Sequence, residues 1–438
     1  MGAYERQANW NVALAVAVAV AAASAVAGAH GGTFEPVACL VSFYVVFLFC
    51  FQSKMMEWPN AELGLGLLLA GAAAVFLLPT AANSCGLWGW PARLACLAAD
   101  AALAVCAHRY MVRGPSCAPR PRSLRGRVCV ITGCNTGIGY ETAEALARAG
   151  ARIVFACRSE AKARAAMQRL LERAAGDGVT AEQLLFLPLD VSSLRSVRRF
   201  AELFREAQLG LHLLILNAGV MLSKRALSED GFEMTLASNH LGHFLLTQLL
   251  LPSLLEAEAR GEQPRIVIVG SNICFQEEAF DFSEAVRVAG EEERRAFLAR
   301  PYSLFRSYGQ SKMANVLFAA ELDRRLRRRG SRIPANALHP GEVLTDVMRD
   351  FPSLLVAAYG LAMRLVRPLM CCFLKTPRWG CCSTLHVATA PELATSDAVS
   401  GAYFLRHAPA RLSPALSDRA AAERLWAVSE RLTGAPAA

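Results

Sequence analysis

Tyr308 and Lys312 are the side chains whose types and spacing best suit proton transfer. They stand four positions apart, so a helix would place them on one face. An ordinary tyrosine has a pKa of about 10, too high for a base near neutral pH, and a neighbouring ammonium lowers it. Tyr302 lacks such a partner because Arg306 stands four positions further on. The alternative reading is an ordinary helix pair, so the assignment depends on what surrounds it.

A glycine-rich loop follows the short apolar run RVCVIT at 127–132, which predicts a strand. The residues after the loop predict a helix over Tyr140–Ala149. Between a strand and a helix, such a loop brings backbone N–H groups against a pyrophosphate. The candidate dinucleotide-binding residues of this loop are Gly133, Asn135, Thr136, Gly137, Ile138 and Gly139.

Arg158 stands directly after the next predicted strand, Arg152–Ala156. NAD-binding sites often have an acidic residue there, which binds the ribose 2′-hydroxyl, whereas a guanidinium suits a 2′-phosphate. Arg158 therefore favours NADP(H), with NAD(H) as the alternative cofactor and a solvated surface charge as the plainer interpretation.

Strand and helix patterns continue to alternate along the chain. This alternation predicts an α/β fold with a Rossmann-type, doubly wound parallel sheet covered by helices on both faces. The further predicted strands are Gln183–Leu189, His212–Leu216, Arg265–Val269 and Ile333–Leu338.

The ordered set of motifs resembles the short-chain dehydrogenase/reductase family. TGxxxGxG stands at 132–139, NAG at 217–219, YxxxK at 308–312 and PG at 340–341, all within residues 126–438. The phrases NHLGHFLL, ACRS and LKTP most resemble the membrane-bound retinol dehydrogenase branch and its polyprenol-acting relative. The resemblance implies cofactor contacts at Asp190, Val191, Asn217, Ala218, Gly219, Pro340, Gly341, Val343 and Thr345, besides Tyr308 and Lys312 themselves.

The same resemblance implies four catalytic residues. Tyr308 would exchange the proton, and Lys312 would hold the nicotinamide ribose. Ser271 would bind the reacting oxygen, and Asn239 would support a water that links Lys312 to solvent. A homodimer through the Tyr308 helix and a location in the endoplasmic reticulum are also implied.

The sequence departs from the family pattern between Ser271 and Tyr308. Gly270-Ser271 replaces the usual paired serines, so one hydroxyl is left for catalysis. Residues 272–307 form an insertion, charged around Glu291–Arg295.

The first part of the chain is almost free of charge, with 8 basic and 5 acidic residues in 1–125. It predicts a membrane region over 1–110 with up to four helices, at about 12–29, 36–51, 63–82 and 90–107, then a linker over 111–125. Arginines after the last segment place the catalytic domain in the cytosol. The alternative for 12–29 is a cleaved signal peptide.

Composition bears on three further kinds of function: nucleic-acid binding, cysteine chemistry and metal binding. The chain has 438 residues, 54% of them apolar, and a net charge of +9 that is too diffuse to predict nucleic-acid binding. The fourteen cysteines lie mostly in apolar runs, which indicates reduced thiols. The pairs at 371–372 and 381–382 weakly indicate zinc or lipidation. The histidines at 240, 243 and 339 lack a ligand cluster, so no metal is predicted.

Two segments nearer the C-terminus have their own structural predictions. Residues 351–374 are apolar with two arginines, which favours a lid touching the bilayer, with an amphipathic surface helix or a core helix as the alternatives. A tail helix is expected over Ser417–Leu432.

The sequence thus predicts a membrane-anchored, NADP(H)-dependent oxidoreductase that acts on a lipophilic alcohol or carbonyl. Retinoid-like substrates are favoured, followed by polyprenols and steroids. The alternative is a catalytically silent nucleotide-binding membrane scaffold or sensor. A transporter is less favoured, because Asp100 is the one obvious polar group in the apolar region.

Overall fold

A computed structural model describes residues 119, 123–341, 343, 375–395, 399–405 and 407–436. The chain divides into the units Met1–Met111 and Val112–Ala438, and the described residues lie in the second. The four predicted membrane segments and the predicted lid at 351–374 lie outside the described residues. Within the described part, no helix combines the length and apolar character that a bilayer crossing needs.

The described residues form one eight-stranded sheet in the order β3-β2-β1-β4-β5-β6-β7-β8. Neighbours from β3 to β7 are parallel, and the β7–β8 pair is antiparallel. The strands are β1 Val128–Thr132, β2 Arg152–Cys157, β3 Leu184–Pro188, β4 Leu213–Leu216, β5 Arg265–Val269, β6 Ala335–His339, β7 Tyr403–Leu405 and β8 Ala408–Pro409. The predicted parallel sheet is confirmed, and sequence analysis missed the two short strands at its edge.

Helices cover both faces of this sheet, as a doubly wound fold requires. Their bounds are α1 Gly137–Arg148, α2 Glu160–Arg173, α3 Leu194–Glu206, α4 Gly242–Ala259, α5 Glu291–Leu298, α6 Leu304–Arg328, α7 Pro377–Thr389 and α9 Arg419–Thr433, with the four-residue α8 Glu392–Thr395 between the last two.

Successive side chains of β1 point to opposite faces of the sheet, so they belong to two separate core layers. Val128 and Val130 face one cluster, which includes Trp426 of α9, and Cys129 and Ile131 face the other. All five residues of β1 are buried, because a parallel strand covered by helices on both faces has no solvent side. The aromatic contact between Phe244 and Trp426, with ring centroids 5.0 Å apart, fastens the tail helix α9 to α4.

The predicted insertion at 272–307 packs on the first turns of α6. It holds a 3₁₀ helix, Asn272–Gln276, and helix α5. Gln310 of α6 fixes it, donating to Glu277 Oε2 at 2.6 Å and accepting from the Asp281 backbone N–H at 2.7 Å.

Two buried histidines in this core make stability depend on pH. Burial lowers the pKa of His240 to about 3 and that of His243 to about 4. Below about pH 6.5, these two histidines are therefore protonated in the unfolded chain but stay neutral in the folded chain. Stability is full above pH 6.5 and is lost as the pH falls towards 4.

We predict that the free energy of unfolding falls by about 1.4 kcal/mol per pH unit for each of these histidines between pH 6.5 and 4. Denaturant unfolding of the full chain in detergent, followed by circular dichroism, measures this slope. The His240→Gln variant should show a slope smaller by one histidine's share, because it removes one of the two groups. An identical slope in wild type and variant would contradict the prediction.

Candidate active site

A groove of about 700 Å³ runs along the carboxyl ends of β1, β2, β4, β5 and β6. Its floor lies between the neighbouring strands β1 and β4. The helices that follow these two strands, α1 and α4, pack on opposite faces of the sheet. Such a topological switch point opens a crevice between the loops, and ligands of α/β sheets bind there.

The glycine loop forms the middle of the groove. Gly133 and Gly137 have φ of 66° and 61°, a region that favours glycine. A Cβ at Gly139 would lie 2.5 Å from Asn217 Nδ2 and 2.7 Å from the Gly133 carbonyl oxygen, so glycine is needed for the loop to pack this closely. Thr136 gives α1 no side-chain cap. The backbone N–H groups of this loop and of the first turn of α1 therefore suit a pyrophosphate.

One end of the groove carries positive charge. Arg158 is largely exposed, with its Nη1 3.6 Å from Asp190 Oδ2. Lys162 and Ser159 also line the groove, and Ser159 caps α2 by accepting from the Lys162 backbone N–H. Arg158 and Asp190 are among the residues predicted from the sequence, and Ser159 and Lys162 are not. A serine immediately before a helix was the available signal.

Tyr308 and Lys312 lie on α6 and both line the other end of the groove. Lys312 Nζ is 5.5 Å from the centre of the Tyr308 ring. It donates a hydrogen bond to the Val269 carbonyl at 2.9 Å, at the end of β5. The predicted pair therefore shares one helix face and one cavity.

The predicted lowering of the Tyr308 pKa invoked both the Lys312 ammonium and an oxidised nicotinamide, and in the protein alone the ammonium does not produce it. Burial raises the pKa of this phenol, and burial lowers the pKa of Lys312 to about 8. The physical reason is that the ammonium is turned towards Val269, too far from the phenol to offset the loss of water around it. Tyr308 thus holds its proton at neutral pH.

Asn239 and Ser271 come from two different elements. Asn239 belongs to a π-helical turn, Ala237–Leu241, and its Nδ2 donates to Ser311 Oγ at 2.9 Å. Ser271 stands two residues after the end of β5, lines the groove and accepts a weak hydrogen bond from the Ile273 backbone N–H at 3.5 Å.

The remaining predicted residues also gather at the groove, with one exception. The residues brought together are Asn135, Ile138, Val191, Ala218, Gly219, Pro340, Gly341 and Val343. Thr345 lies outside the described residues. Lys375 packs against this loop, since a Cβ at Gly341 would lie 2.8 Å from its Cδ and Cε. Lys375 belongs to the phrase LKTP and was not among the residues predicted for the site.

Comparison with known proteins agrees with this geometry. Residues 127–281 match the family model of the short chain dehydrogenases. The chain is 39% identical to polyprenol dehydrogenase of Mus musculus over 74% of its own length and 87% of that protein. It is 40% identical to retinol dehydrogenase 12 of Bos taurus over 71% of its length and 87% of that protein.

The chain belongs to the short-chain dehydrogenase/reductase family. It falls within the branch that contains retinol and polyprenol dehydrogenases, and it is an oxidoreductase. A solved structure of an uncharacterized protein from Mycobacterium paratuberculosis is 32% identical, with a TM-score of 0.53. It covers 74% of this chain and matches over its full length. Alcohol and carbonyl interconversion on a small molecule is the reaction class of this branch.

Proposed function

We propose that this protein is a membrane-anchored, NADP(H)-dependent oxidoreductase that interconverts a lipophilic alcohol and its aldehyde or ketone. The observation that carries the proposal is the groove itself, which Tyr308, Lys312 and Ser271 line. Asn239 is buried behind them and donates to Ser311, the neighbour of Lys312. Retinoid-like substrates rank first and polyprenols next, because the similar proteins are named for retinol and polyprenol. Steroids rank third.

The cofactor fits the residues present. The glycine loop would hold a pyrophosphate, and Arg158 with Lys162 would supply two cations at the end where a 2′-phosphate would lie. Bound there, a nicotinamide supplies or accepts a hydride at its C4. The two cations favour NADP(H). NAD(H) is kept as the weaker alternative, because the Asp190 carboxylate stands beside Arg158.

The protein's own groups would handle the proton. Tyr308 keeps its proton because burial raises its pKa, so it is ready to donate to the oxygen of a carbonyl substrate. Ser271 would donate a hydrogen bond to the same oxygen and orient it, and Lys312 would hold the nicotinamide ribose. Alcohol oxidation needs the phenolate instead, so it should rise with pH. With cytosolic NADPH as the cofactor, carbonyl reduction is the expected direction.

The anchoring and location are part of the proposal. The uncharged runs within 1–110 carry the membrane assignment, with a catalytic domain in the cytosol and the endoplasmic reticulum as the organelle. The apolar segment 351–374 would cover the substrate at the bilayer surface. A homodimer through α6 completes the proposal.

Replacing Tyr308 by Phe should lower NADPH-dependent carbonyl reduction by at least about 100-fold, because a positioned acid contributes at least that factor. The purified full chain in detergent is assayed by NADPH absorbance against retinoid, polyprenoid and steroid carbonyls. Tyr302→Phe is the matched control. It removes a phenol that donates to the Leu222 carbonyl at 3.1 Å, so activity should stay within about threefold.

Equal turnover by wild type and Tyr308→Phe would remove the catalytic role of Tyr308. Wild-type protein that binds NADPH yet reduces none of these carbonyls would favour the other candidate, a silent nucleotide-binding scaffold. The intact set of four side chains argues against that candidate.

Arg158→Ala should lower kcat/KM with NADPH at least about tenfold, or about 1.4 kcal/mol, and leave NADH almost unchanged. The reason is that the guanidinium gains a charged hydrogen bond from a 2′-phosphate alone. Arg164→Ala is the control, since Arg164 pairs with Glu160 on the exposed side of α2. Equal losses with both nucleotides, or wild-type turnover that is much faster with NADH, would contradict the NADP(H) assignment.

A further inference from the structure

His243 is a buried group at this site to which the proposed chemistry gives no role. It lies one turn after Asn239 and is 2% exposed. Both ring nitrogens have partners. Nε2 is 3.0 Å from Thr132 Oγ1, and Nδ1 is 3.2 Å from the Asn239 backbone carbonyl.

The hydroxyl of Thr132 fixes which nitrogen carries the proton. Its oxygen accepts from the backbone N–H groups of Asn217 and Ala218, each at 2.9 Å. The one hydroxyl hydrogen is left for His243, so Thr132 donates to Nε2. Nδ1 then bears the hydrogen and donates to the Asn239 carbonyl. One neutral tautomer satisfies every contact, and burial, with the charge of Lys312 nearby, lowers the pKa of His243 to about 4.

The network continues from Asn239 to the catalytic helix. The Asn239 side chain accepts from the Val220 backbone N–H at 2.8 Å and donates to the Val220 carbonyl at 2.9 Å. It also donates to Ser311, the neighbour of Lys312 on α6. His243 is therefore the link between two groups of contacts. One is the floor of the groove at β1 and β4, and the other is the turn that supports α6.

We propose that His243 is a positioning residue, which holds the Thr132–Asn217 floor and the Asn239 turn in register for hydride and proton transfer. This inference rests on the proposed function. It assigns two separable tasks to one ring. The contact at Nε2 holds the cofactor floor, and the contact at Nδ1 holds the Asn239 carbonyl and, through that turn, the position of α6.

Two isosteric variants separate these tasks. The amide of Gln reaches the position of Nε2 and preserves an acceptor for Thr132, whereas the amide of Asn reaches the position of Nδ1 and preserves a donor to Asn239. His243→Gln should lower kcat about tenfold with the Kd for NADPH within about twofold. His243→Asn should raise the Kd for NADPH about tenfold with a smaller change in kcat.

The measurements use the full chain in detergent, with NADPH binding followed by fluorescence and turnover by absorbance. His240→Gln is the matched control. His240 is equally buried beside the same turn, but its partners do not line the groove: they are Ser429 of α9 and Asn315 and Phe318 of α6. Its variant should therefore change stability without changing kcat or Kd. Wild-type kcat and Kd in both His243 variants, with wild type active, would overturn the inference while the proposed function stands. An inactive wild type would count against the proposed function instead.

If the His243 variants fail to fold, the inference can be tested on the unmodified protein. Imidazole ¹⁵N chemical shifts of His243 report its tautomer directly. A hydrogen on Nδ1 with a bare Nε2 supports the assignment. A hydrogen on Nε2, or a protonated ring at pH 7, would overturn it.

Discussion

The Thr132 hydroxyl at the junction of β1 and β4 is the contact on which the site depends. It accepts from the two backbone N–H groups that follow β4, so the loop carrying Asn217 cannot move away from the glycine loop that follows β1. Asn217 returns the contact by donating to the Thr132 carbonyl at 2.9 Å. Because these strands separate at the switch point, this reciprocal bonding sets the width of the crevice between them.

The sequence predicted the scaffold well because the pattern that encodes it is local. β5 was predicted with its observed bounds, Arg265–Val269, since a fully buried parallel strand is a continuous apolar run between polar turns. The first helix begins at Gly137, three residues before the predicted start. Glycines usually interrupt helices, but here Gly137 and Gly139 form the first turn of one. The tail helix spans Arg419–Thr433, close to the predicted Ser417–Leu432.

What escaped prediction depends on contacts between distant segments. The π-helical turn that aims Asn239 at Val220 has no signal in local spacing. Lys375 meets the Gly341 loop through tertiary packing alone. The direction of the Tyr308 pKa shift in the protein alone could not be predicted for the same reason. Spacing shows that a lysine is one turn away, but not that its ammonium binds a strand carbonyl.

The proposed function requires that a nicotinamide and a substrate carbonyl meet beside Tyr308 and exchange hydride directly. Single-turnover reduction of retinal with NADPH deuterated at C4, tested on each face, measures this on the wild-type chain in detergent. We expect one of the two labelled forms to deliver deuterium to the carbinol carbon, with none entering carbon from deuterated solvent. Product carbon labelled from solvent, or unlabelled with both forms, would contradict the account.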